Sequence, residues 1–141
     1  MKPKLIFSLG TVALVAWALA AQFSTAAEVR RRAETQTFMR LKMAWSQGVL
    51  EGLTLEKFDA ISRNAIRMRD MTQSNQWFVS KQPDYMARTT NFQQSVDALY
   101  LAAVDKNLDA ATEAYLKVTR SCVECHRLVR TDQRKQPAPG K

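Results

Sequence analysis

Residues 122–126 read Cys122-Val123-Glu124-Cys125-His126, and they hold both cysteines and the only histidine of the 141-residue chain. C-x-x-C-H is the attachment signature of c-type haem. On a helix, Cys122 and His126 stand one turn apart with Cys125 beside them. Two thiols so placed can add to the two vinyl groups on one edge of a porphyrin while the adjacent imidazole meets the iron. The same residues admit other chemistry. A redox dithiol uses C-x-x-C, normally at a helix N-terminus in a βαβ setting. A structural disulfide needs only the two cysteines, and zinc would need a fourth ligand such as Glu124. One histidine excludes multi-histidine metal sites. It also leaves no second imidazole as a distal acid–base group, so peroxidase-like catalysis lacks support and no enzyme is expected.

The elements that must position this segment are helical. Gly and Pro number only four each, which is low for a turn-rich β fold. A first helix is expected from about Glu28 to Leu50, with Phe38, Leu41, Trp45 and Val49 at three-to-four spacing and Met39 and Met43 on an adjoining face. Gly52 is a plausible stop and Thr54 a plausible cap for the second helix, which has Glu56 in its first turn. Phe58, Ile61, Ala65, Met68 and Thr72 form the inner stripe of that helix, widened by Ile66 and Met71. A less regular stretch spans residues 75–83. Asp84 is expected to cap a third helix, with Phe92, Val96, Leu99 and Ala103 inside. Asn107 or Asp109 opens a fourth, with Tyr115, Val118, Cys122 and Val129. The aromatic residues Trp45, Trp77, Tyr85 and Tyr100 read as packing groups. Four helices of about 20 residues with short connections imply an all-α, antiparallel up-and-down four-helix bundle.

Lys2 and Lys4 precede an uncharged apolar run from Leu5 to Ala21, and Ser24-Thr25-Ala26-Ala27 follow. This is the pattern of a secretory leader cleaved after Ala26 or Ala27. The alternative is an uncleaved membrane anchor, although 17 helical residues reach only roughly 26 Å. The expected organisation is therefore a leader at 1–27, a helical domain at 28–131 and a flexible basic tail at 132–141. Loss of the leader removes two lysines and lowers the net charge from +8 to +6, with 19 basic residues against 13 acidic. The basic residues are spread along the chain without an aromatic-interleaved stripe, so nucleic acid is not an expected partner. A periplasmic or otherwise exported location agrees with the haem reading, because c-type haem is attached outside the cytoplasm.

A four-helix chain with C-x-x-C-H near the end of the last helix resembles the class II c-type cytochromes, the cytochromes c′ and their low-spin relatives. The resemblance covers the expected domain and is carried by two segments. In the first, a basic residue, Arg130, follows the haem histidine by four positions. In the second, Arg32 precedes Phe38-Met39 by the family's interval, and Met43 lies one turn further on. The resemblance implies one covalent haem c, with His126 as proximal ligand and Met39 facing the other side of the iron, Met43 being the next candidate. It implies Arg32 beside a propionate and Arg130 beside the imidazole. The family also includes dimers, so a homodimer is a possible assembly.

If Met39 coordinates, the His/Met pair favours Fe(II) and blocks exogenous ligands, which suits electron transfer with a redox partner protein. Basic residues near the motif (Arg120, Arg127, Arg130) would steer an acidic partner. If Met39 only crowds the site, the iron is five-coordinate and the chain is a cytochrome c′-like binder of NO or CO. The thioether at the family's distal position favours the first alternative.

Overall fold

A computed structural model of the chain describes residues 6–135. Among them the order is α1 (Ile6–Thr54), α2 (Phe58–Asp70), a single 3-10 turn (Met71–Gln73), α3 (Pro83–Val104) and α4 (Leu108–Lys135), with no strand. Two compact units divide the chain, one running through Phe38 and the other beginning at Met39.

The first unit is helical from Ile6 onward, so the first helix begins well before the expected Glu28. No proline interrupts residues 6–54, and the apolar run is rich in strong helix formers such as Ala and Leu. The helix passes through Ala26-Ala27 without a break. Its exposed arginines pair along the axis, Arg30 with Glu34 at 3.0 Å and Arg32 with Glu28 at 2.6 Å. Lys2 and Lys4 lie outside the described residues. Among the described residues, no helix is long and apolar enough to cross a membrane.

In the second unit, α3 packs against both α2 and α4. The centre of the core is Val49, Ile61, Met68, Phe92, Val96, Leu99 and Val118, all sealed from solvent. The inner stripes expected for the second and third helices are largely those observed. Ile66 is exposed and Phe58 half-buried, while Tyr85, Thr89 and Ala102 extend the α3 face. The α1 stripe differs at one position, with Phe38 and Val49 buried and Trp45 half-buried as expected. Leu41 and Met43 are exposed, and Lys42 is buried at 8% exposure. Lys42 precedes Val49 by seven residues, about two turns, so it falls in line with the core where Leu41 does not.

The caps also differ from expectation. Gly52 is interior to α1, where a Cβ would stand 2.7 Å from Cγ1 of Ile61, so the residue permits a close approach of α1 to α2. Thr54 ends α1 and returns its hydroxyl to the Glu51 carbonyl. The turn that follows is a Schellman motif: Lys57 N–H donates to Gly52 O at 2.8 Å, with Glu56 left-handed at φ 52°. The α3–α4 connection repeats it, with Asn107 N–H on Ala102 O at 2.9 Å and Lys106 at φ 53°. Gln82, not Asp84, precedes α3, and Pro83 opens it, the position where a missing N–H costs nothing. Asn107 caps α4 by accepting from Ala110 N–H. That helix continues to Lys135, so residues 132–135 are helical rather than tail; Pro137, Pro139 and Gly140 lie outside the described residues.

Candidate functional site

Cys122, Cys125 and His126 lie on α4. Both cysteines are free thiols and half-buried, and His126 is exposed. The helix is uninterrupted here, so the i and i+4 relation of Cys122 and His126 holds as the spacing requires. Among the described residues, no three His, Cys, Asp or Glu side chains converge to hold a single metal ion. The thiols and the imidazole therefore do not form one ligand shell.

A buried aromatic pair lines the inner face of α3. Trp77 sits in the irregular segment between α2 and α3, yet it is only 2% exposed. Its indole N–H donates to Thr89 Oγ1 at 3.0 Å, and its carbonyl accepts from the Tyr85 hydroxyl. Its ring stacks on Phe92, with centroids 5.3 Å apart and planes inclined by 28°. A polar tip satisfied within a buried ring is what lets Trp occupy a core position.

Lys42 reaches over this pair from α1. Its Nζ stands 3.7 Å from the Phe92 ring centroid and 4.6 Å from that of Trp77. Its charge and those of the two motif thiols act on one another. Among the described residues no carboxylate pairs with it. Burial pushes its pKa down, against the opposing pull of the two thiols. The Cys125 thiol is pushed up, first by burial and against the nearby charges of Lys42 and Arg88. Burial, with Cys125 adding to it, pushes the Tyr85 hydroxyl up to about 12. The His126 imidazole is held down by partial burial and by the charges of Lys42 and Arg130. Arg88 on α3 pairs with Glu124 inside the motif, tying α4 to α3 beside Cys125.

The remaining expected residues are placed less centrally. Met39 is half-buried on α1, one turn before Lys42, and Met43 is exposed. Arg130 is exposed one turn past His126, its charge felt by the imidazole. Arg32 lies in the first unit, paired with Glu28. Sequence reasoning passed over Lys42, Arg88 and the pair made by Trp77 with Phe92. The signal for Lys42 was a cation on the inner register of α1. Nothing local marked Trp77 as buried, because its partners come from another helix.

An open groove of roughly 380 Å³ between α3 and α4 takes in Asn91, Ser95, Lys117, Arg120 and Glu124. Neither thiol nor His126 lines it, so it does not displace the motif as the candidate site. The residue types at the motif are those that haem c attachment requires: two free, half-buried thiols on one helix and an exposed imidazole, with Arg88 and Arg130 near by. Compared with known proteins, the chain matches no family model, no curated protein and no solved structure.

Proposed function

We propose that the chain is an exported, single-haem c-type cytochrome of the class II kind, built as an antiparallel up-and-down bundle and used for electron transfer. The observation that carries the reading is that the chain's only two cysteines and only histidine form one C-x-x-C-H on a helix, with free thiols and an exposed ring. A bound haem would supply one-electron chemistry. The chain's own residues do the rest. Cys122 and Cys125 would hold the group, each thiol adding across a vinyl group with its sulphur going to one carbon and its proton to the other. His126 would supply a nitrogen to the iron, and partial burial together with the charges of Lys42 and Arg130 favours the neutral ring that this requires. The Arg88–Glu124 pair holds the attachment segment against α3.

On the other face, the family resemblance assigns Met39, with Arg32 at a propionate and Arg130 beside the imidazole. Met39 would be the second donor the chain offers to the group, which would suit electron transfer. The surface arginines of α4 would then meet an acidic redox partner.

The test is covalent haem. The exported full-length chain, denatured and extracted with acid, is expected to keep its haem; Cys122→Ser and Cys125→Ser each lose one bond, and the double variant loses the haem. Haem-free wild-type protein overturns the reading. Rapid CO binding by the reduced protein would move the function from electron transfer to the five-coordinate, gas-binding alternative.

A further inference from the structure

We propose that the open groove between α3 and α4 is a binding site for a phosphate monoester, held by Lys117 and Arg120. The inference is independent of the haem reading. Neither cysteine nor His126 lines the groove, so it can be filled whether or not the motif is. Lys117, Arg120 and Glu124 enter its lining from α4 at steps of three and four residues, which puts them on one face of that helix. Asn91 and Gln94 line it from α3 and add amide N–H groups.

Charge sets the class of ligand. Arg120 and Glu124 are four residues apart and would ordinarily pair along the helix. Glu124 is instead taken by Arg88 from α3, which leaves Arg120 with no carboxylate among the described residues. Lys117 has Glu113 four residues before it, the favoured order for a helical ion pair, yet the two do not pair either. Two cations therefore line a groove whose one carboxylate is already offset by an arginine. The lining is rich in donors and short of free acceptors. A phosphate monoester matches it, with about two negative charges at neutral pH and three strong acceptor oxygens. Lysine meets such a group as a point charge and arginine as a fork of N–H donors. The groove, roughly 380 Å³, is larger than a phosphate group alone and has the size of a small-molecule site, so the organic part of an ester has space beside the charge.

The experiment is isothermal titration calorimetry of the full-length chain, in phosphate-free buffer, with glycerol 3-phosphate and with succinate. Sedimentation with phosphatidylcholine vesicles, with and without phosphatidic acid, asks whether the same group is taken from a lipid. Lys117→Met, Arg120→Met and Arg63→Met are compared with wild type. All three lose one exposed charge, but Arg63 lies on α2 and does not line the groove. One glycerol 3-phosphate is expected to bind per chain. Each groove variant should weaken it about tenfold, as one lost charge-assisted hydrogen bond does, and Arg63→Met by less than about twofold. Binding confined to the vesicles that carry phosphatidic acid, with the same dependence on Lys117 and Arg120, supports the site and assigns the monoester to a lipid headgroup. No binding to either phosphate probe overturns the proposal. Equal weakening by all three variants overturns it as well, since the anion would then be answering to net charge. Succinate bound as tightly as glycerol 3-phosphate overturns the ligand class, and this wild-type comparison decides the matter even if a variant fails to fold.

Discussion

Two glycines of α1 face α2 through different neighbours, and their alanine variants should differ in a way the shortest distance alone would misjudge. At Gly52 a Cβ would lie 2.7 Å from Cγ1 of Ile61 and 3.3 Å from both Ile61 N and Lys57 O. Carbon atoms prefer about 3.5–4.0 Å, so the overlap is about 1 Å. Ile61 has no exposure, and backbone supplies the other two contacts, so nothing yields cheaply. Overpacking of this kind costs about 1–3 kcal/mol, against about 1 kcal/mol gained from helix propensity. The upper part of that range applies, and Gly52→Ala should lose about 1–2 kcal/mol. At Gly48 the nearest atom is closer, Nδ2 of Asn64 at 2.6 Å, but all three near atoms belong to that one half-buried side chain. Swinging it aside forfeits a hydrogen bond to Ala60 O, worth about 0.5–1.5 kcal/mol, which the propensity gain roughly cancels. With about 4 °C per kcal/mol for a domain of this size, Gly52→Ala should melt about 4–8 °C lower and Gly48→Ala within about 2 °C of the parent. Thermal and urea unfolding followed by far-ultraviolet circular dichroism give both values. A Gly48→Ala loss equal to or larger than that of Gly52→Ala would refute the argument that yielding, not distance, sets the cost.

Lys106→Gly should stabilise the chain by about 0.5 kcal/mol in urea, because relief of the left-handed strain outweighs the added freedom of the unfolded chain; unchanged stability would mean that Lys106 does not carry that strain. Trp77→Phe deletes the N–H that donates to Thr89 and should cost about 1–2 kcal/mol, read from the urea midpoint at constant slope. In haem-free protein, alkylation of Cys125 should rise with pH along a curve displaced above that of an ordinary thiol, because burial favours the neutral form. Lys42→Met removes a charge that favours the thiolate, so it should displace that curve further upward, and a downward displacement would contradict the placement of Lys42.

The helical period of α2 and α3 was legible because their apolar residues are bounded by turns that change the chain's direction. The first helix was misplaced at both ends, beginning at Ile6 rather than Glu28 and running past Gly52 to Thr54, because the apolar run before Glu28 is itself composed of helix formers. Gly52 illustrates a second limit: a glycine near a turn reads equally well as a stop or as a close contact, and only the position of Ile61 distinguishes them. The motif was legible in full because it is contiguous. Its surroundings were not, since Lys42 and Arg88 come from two separate segments, and a lysine in line with a core ordinarily reads as a solvated face.

The bonds that hold Trp77 join residues near in sequence, eight positions from Tyr85 and twelve from Thr89, whereas the Ser46–Tyr115 contact of α1 with α4 closes 69. Chain-closure entropy separates the eight- and 69-residue loops by about 2 kcal/mol. During folding the aromatic pair should therefore assemble with α3 early, and α1 should dock late and carry Lys42 in with it. Larger φ-values for Trp77→Phe than for Tyr115→Phe would be the kinetic sign of that order. The thiols would then stay open to their reaction partner until the last helix arrives.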